Sequence, residues 1–155
     1  MKKFSLGLLM VVATACGSAQ HASHSVPMGD SMNPAELVFS EDRRPADGAL
    51  TEISLVRNAE GQYDATMRRV FVDMRTGQEV EQSEVLGKNL VCEFAAVAIS
   101  CSKDLRPVDG ALTVLTISQS ADVYVATLRH AFFDRINGHM VDNTEVLADN
   151  LTQQK

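Results

Sequence analysis

From about residue 36 to the C-terminus, apolar and polar positions mostly alternate, which is the period of a β-strand that buries one face. Thr51, Ile53 and Leu55 share one side of such a strand, as do Thr113, Leu115 and Ile117. In the next segment Tyr63, Ala65, Met67 and Phe71 line one side, matched by Tyr124, Ala126, Leu128 and Phe132. Turn-forming residues separate the runs. Arg-Pro-x-Asp-Gly presets φ at proline and frees it at glycine, and Asp73 to Gly77 and Asp134 to Gly138 have the form of short hairpin loops closed by glycine. The segments 78–89 and 139–150 are ambiguous, because Met140, Thr144, Leu147 and Leu151 also fit helical spacing; a short helix is the alternative there.

The same pattern occurs twice. Arg44 to Thr51 returns as Arg106 to Thr113, offset by 62 positions; Tyr63, Arg68, Phe71, Asp73 and Gly77 return as Tyr124, Arg129, Phe132, Asp134 and Gly138, offset by 61. Glu84, Val85, Leu86, Asn89 and Leu90 are matched by Glu145, Val146, Leu147, Asn150 and Leu151. The folded region is therefore an internal duplication, with copies at about 36–92 and 97–153.

Each copy predicts an antiparallel meander of about four strands, too small to be secure alone, so the two copies should share one core in a single β domain over 35–155. The expected fold is all-β: two repeated four-stranded meanders forming one eight-stranded barrel, with a two-sheet sandwich as the alternative. Closure removes exposed edges and favours the barrel. An approximate twofold axis should relate the halves.

The first residues have a different character. Lys2 and Lys3 precede a short apolar run from Phe4 to Val12, and Ala13-Thr14-Ala15 then leads to Cys16. This layout is that of a secretory signal, and the run is too short to span a bilayer. It resembles the signal peptide of bacterial lipoproteins, in which the cysteine after the cleavage site is acylated and becomes the mature N-terminus. That resemblance implies a signal peptide at 1–15, lipidation of Cys16 and export with a lipid anchor; Gly17 after the cysteine implies the outer membrane of a Gram-negative cell. Ala13-Thr14-Ala15 equally fits an ordinary small-x-small cleavage site, under which Cys16 is a free thiol. Residues 16–34 hold turn formers and small polar residues without an apolar period, so they predict a tether reaching on the order of 20 to 25 Å. His21 and His24 within it make an incomplete metal site, and a solvated linker is the expectation.

Loss of Lys2 and Lys3 with the signal takes the formal net charge from −6 to −8. An acidic chain without Trp and with few other aromatics offers neither a phosphate-seeking surface nor a stacking platform, which argues against nucleic acid. With Cys16 assigned to lipid, Cys92 and Cys101 form an even pair, and in an exported chain such a pair is most simply a disulfide, with two buried free thiols as the alternative. The bridge requires the chain to turn back near Phe94 to Ala98, although that stretch holds no turn residue.

Candidate chemistry is sparse. The chain has no phosphate-binding glycine loop, nucleophile elbow or paired-ligand metal motif, and no catalytic residue, cofactor or metal is expected. His130 falls on the same side of its strand as Tyr124, Leu128 and Phe132, and its repeat equivalent is Arg69; together they are candidates to hold an anionic ligand inside the barrel. The alternative places both at a wet rim. Asp47, Asp73, Asp109 and Asp134 precede glycines and are expected to serve their turns. Glu79, Glu81 and Glu84 are expected to form a solvated face. The expected function is that of a non-enzymatic cell-envelope lipoprotein whose β domain acts as a protein-interaction or inhibitor-like module, with an envelope protein as partner. A small-ligand-binding barrel is the alternative, and a hydrolase is disfavoured because no nucleophile, base and orienting group can be assembled.

Overall fold

The computed structural model describes residues 33–44, 48–106 and 110–155. The signal segment, Cys16, His21, His24 and most of the tether lie outside the described residues, as do Asp47 and Asp109. Eight strands follow one another in chain order: β1 (Glu36–Asp42), β2 (Ala49–Arg57), β3 (Tyr63–Val72), β4 (Glu79–Ala95), β5 (Ala98–Asp104), β6 (Ala111–Ser120), β7 (Val123–Asp134) and β8 (His139–Gln153). Each pairs antiparallel with the next, and β8 returns to β1, so the sheet closes into a barrel. The strands of the second copy repeat those of the first in order and register. Thus Thr51 lies opposite Arg69 in β2–β3, and Thr113 lies opposite His130 in β6–β7.

The connections β1–β2, β3–β4, β5–β6 and β7–β8 gather at one end of this up-and-down barrel, here called the mouth. The chain enters β1 at the opposite end. Around the middle, one face of every strand packs inward. Phe39, Ile53, Leu55, Tyr63, Ala65, Leu90, Ile99, Cys101, Leu115, Ile117, Ala126 and Leu151 are fully or almost fully buried. Two edge-to-face aromatic contacts, Phe39 on Tyr124 at 5.1 Å and Tyr63 on Phe94 at 5.5 Å, sit in equivalent halves of this core. The interior is filled by side chains, as is usual for eight strands.

No helix forms at 78–89 or 139–150; both belong to the long strands β4 and β8. The helical spacing has a specific origin. Between Tyr63 and Thr66 the partner strand runs from Leu90 to Val85, and between Tyr124 and Thr127 it runs from Leu151 to Val146, so each long strand carries two extra residues as bulges. The bulges leave neighbours Leu147 and Ala148 both buried, which a regular pleat forbids, and put Leu86 with Leu90 and Leu147 with Leu151 four residues apart in the core. A four-residue apolar interval is also the signature of a helix.

The long strands also change partner at the bulge. β4 pairs with β3 through Glu79–Leu90 and with β5 only through Val91–Ala95; β8 pairs with β7 up to Leu151 and with β1 only through Thr152 and Gln153. Toward the mouth the ladder is therefore interrupted between β1 and β8 and between β4 and β5. The barrel is closed where the chain enters and split twice at the mouth.

Cys92 and Cys101 are bonded directly across the β4–β5 hairpin, with Cα atoms 4.0 Å apart. The required reversal is a two-residue turn at Ala96-Val97. The Asp73 and Asp134 loops are hairpin turns: Gly77 and Gly138 donate their N–H to the carbonyls of Asp73 and Asp134 at 2.7 Å, with φ of 69° and 71°. The Asp73 carboxylate accepts the Arg75 N–H and that of Asp134 accepts the Ile136 N–H, both at 2.8 Å, so these acids stabilise their own turns.

Candidate functional site

At the mouth the inner face of the sheet changes from apolar to polar. Opposite residues of an antiparallel pair share a face, so Arg69 stands beside Thr51 and Gln82, and Met67 stands beside Glu84. In the second copy His130 stands beside Thr113 and Asn143, and Leu128 stands beside Glu145. Phe71 is only half-buried and Phe132 is exposed, while the outward neighbours Val70 and Ala131 are buried; the simple alternation ends where the walls separate.

Arg69 is half-buried and lines two grooves. The larger, about 500 Å³, follows the β1–β8 split and is bounded by Glu41, Arg43, Ala49, Thr51, Arg69 and the 146–149 stretch of β8. The smaller, about 330 Å³, lies over the inner face of β3–β4 against Met67, Gln82, Ser83 and Glu84. Across the larger groove Arg69 donates to the carbonyl of Leu147 at 3.4 Å, a long contact. No acidic side chain among the described residues pairs with it, although seven ion pairs form elsewhere in the described chain.

The other charges of this groove are mutually satisfied. Glu41 is the one buried charged side chain among the described residues, and Arg43 donates to it at 2.5 Å and to Asp149 at 2.5 Å. The Glu41 hydrogen bond, then its charge, raises the Arg43 guanidinium above its ordinary value, so it stays cationic at any working pH. Two links thus tie the first copy across the split to β8: Arg43 to Asp149 and Arg69 to Leu147. In the second copy Lys103, the counterpart of Glu41, donates to the carbonyl of Lys88 at 3.2 Å and bridges the β4–β5 split.

Arg69 and His130 occupy equivalent positions, but no hydrogen bond joins them. His130 is half-buried, with Nδ1 3.3 Å from the Thr113 hydroxyl, and lines neither of the two grooves. In the acidic cluster, Glu81 pairs with Arg68 at 2.9 Å on the outer face, Glu79 lies 4.0 Å from Arg44, and Glu84 borders the smaller groove.

Sequence reasoning missed Glu41, Arg43, Thr51 and Asp149. A signal was present for the first two: the duplication puts Lys103 where the first copy has Glu41 and Leu105 where it has Arg43, so these positions differ in charge while Ser40, Asp42 and Arg44 around them return as Ser102, Asp104 and Arg106. Among the described residues no three metal-ligating side chains cluster. No protein-family model matches the chain, and no curated protein or solved structure shows significant similarity to it.

Proposed function

We propose that this protein is a non-enzymatic, lipid-anchored envelope protein whose barrel binds another protein through its mouth end. The observation that carries this reading is the placement of exposed apolar side chains. Met74 at the β3–β4 turn is 98% exposed and Ile136 at the β7–β8 turn is 94% exposed. On the β7–β8 hairpin, Phe133 and Met140 face each other across the strands and are both about half exposed, and Phe132, on the other face of the same hairpin, is exposed as well. Single exposed apolar residues are ordinary, whereas aromatics and methionine concentrated on one hairpin are what a partner surface needs.

Three further features support the reading. The hairpin lies at the end opposite the chain's entry into β1, so a lipid at Cys16 leaves the mouth free to point away from the membrane. The exterior carries ion pairs such as Arg68–Glu81 and Arg129–Asp142 around an apolar interior, the inverse of a barrel embedded in lipid. The Cys92–Cys101 bridge suits an oxidising compartment.

Both parts of the proposal can be tested in cells. Labelling with a fatty-acid analogue should mark the wild-type chain and not Cys16→Ser; label that persists in the variant rejects the anchor. A photo-crosslinking amino acid at Phe133 or Met140 should give one discrete adduct that is absent from Glu60 and Asp122 at the opposite end. The same adducts from all four positions reject the mouth as the binding surface.

A further inference from the structure

The first copy and the second supply an internal comparison at the same place in the fold. In the second, the Thr113 hydroxyl and the His130 ring hydrogen-bond each other. In the first, among the described residues, the Thr51 hydroxyl makes no hydrogen bond and the adjacent Arg69 guanidinium, with five N–H donors, makes only the long contact to the Leu147 carbonyl. Two donor groups on one face are therefore not used up by the described residues, and they lie beside a groove whose walls include Ala49, Val146, Leu147 and Ala148.

From this arrangement we infer that the β1–β8 groove binds a single carboxylate, which receives hydrogen bonds from Arg69 and Thr51 while a short aliphatic part lies on the apolar wall. A guanidinium presents paired donors in the plane that a carboxylate accepts. The groove's volume of about 500 Å³ suits a small group of this kind. Its charges set the valence. Glu41 and Asp149 against Arg43 and Arg69 leave the groove formally neutral, and Arg43 is already bonded to both acids, so Arg69 is the one cation with donors left for a carboxylate and a second negative group meets the acids. On the neighbouring groove Glu84 repels a second negative group in the same way. A free aliphatic acid and the C-terminal carboxylate of a partner chain present the same chemistry. The inference rests on the groove alone, apart from the hairpin surface proposed above, and either can fail without the other.

Saturation-transfer NMR on the full chain tests it with five probes: butyrate, its neutral amide butyramide, the dianion succinate, and an acetylated Ala-Ala-Val peptide with a free or an amidated C-terminus. Butyrate or the free-acid peptide should receive saturation; butyramide, the amidated peptide and succinate should not. Arg69→Met should weaken the binding roughly 10- to 100-fold, Thr51→Val less, and His130→Ala not at all. Binding of butyrate alone or of the free-acid peptide alone supports the site and identifies the source as a small acid or a protein end. Should Arg69→Met fail to fold, Arg69→Lys takes its place, since it keeps the charge but loses the paired donors and should weaken binding. No transfer to either carboxylate, equal transfer to the neutral probes, or binding unchanged in the folded Arg69 variant overturns the inference.

Discussion

Reducing the Cys92–Cys101 bridge should lower the melting temperature by about 10 °C. The two cysteines are nine positions apart, so the bridge closes a loop of about ten residues in the unfolded chain. Loop-closure entropy for that length is about 9 cal/mol/K, or about 2.7 kcal/mol at 25 °C. A barrel of about 120 ordered residues unfolds with an entropy of about 0.25 kcal/mol/K, and the ratio gives the shift. Reduction is a better perturbation than mutation because it leaves both sulfurs in place. Cys101 is fully buried beside Leu115 and Ile117, so its truncation would add a cavity to the loop effect. The assay is thermal unfolding followed by circular dichroism, with and without reductant, alongside alkylation of the unreduced chain and peptide mapping. A shift below about 3 °C with the bridge demonstrably broken would refute the loop-entropy reasoning. Alkylation of both Cys92 and Cys101 before reduction would remove the bridge itself.

Four further outcomes are expected. Phe39→Ala should cost about 3–5 kcal/mol in denaturant unfolding, because Phe39 is fully buried, packs on Tyr124 and lies in the short β1–β8 pairing that closes the barrel; Phe133→Ala, half exposed, should change stability by less than about 0.5 kcal/mol. Hydrogen bonds from the Arg44 and Arg106 side chains, then from their backbone N–H groups, hold Asp42 and Asp104 down to about 2 from 3.8. A lowered folded-state value stabilises above the unfolded value and is lost as the acids protonate, so the melting temperature should fall between about pH 4 and pH 2, and more gently in Asp42→Asn with Asp104→Asn. Gly87→Ala should cost only about 1 kcal/mol, since Leu90 must yield where the new Cβ would come within 2.9 Å of it, while the equivalent bulge already accommodates Ala148. A fragment of residues 35–95 should give no cooperative unfolding transition, because β4 depends on β5 to pair Val91–Ala95 and β1 on β8 for closure; a folded, monomeric fragment would contradict a shared core.

Much of this architecture was legible before any coordinates. The alternation through Ile53 and Leu55 and through Tyr63, Ala65 and Met67 identified the buried faces of β2 and β3, because a pleated strand has a fixed period of two. The duplication carried the same assignment to β6 and β7, and the spacing of Cys92 and Cys101 demanded a reversal that no turn residue announced. The bulged strands were ambiguous for a physical reason: an inserted residue shifts the apolar interval from two toward four, and local periodicity cannot tell that shift from a helix.

The sequence by itself determined the all-β class, the buried faces of β2, β3, β6 and β7 around their middles and the two-copy plan, because these depend on short-range periodicity and on the covalent order of the chain. Only the tertiary structure decided how the sheet closes. The two β1–β8 pairs, the split beside them and the meeting of Arg43 with Asp149 involve positions more than a hundred residues apart, and no local pattern records them. The candidate site follows the same division. Arg69 and His130 were recognisable as equivalent inward positions, yet one meets an open split and the other a threonine hydroxyl.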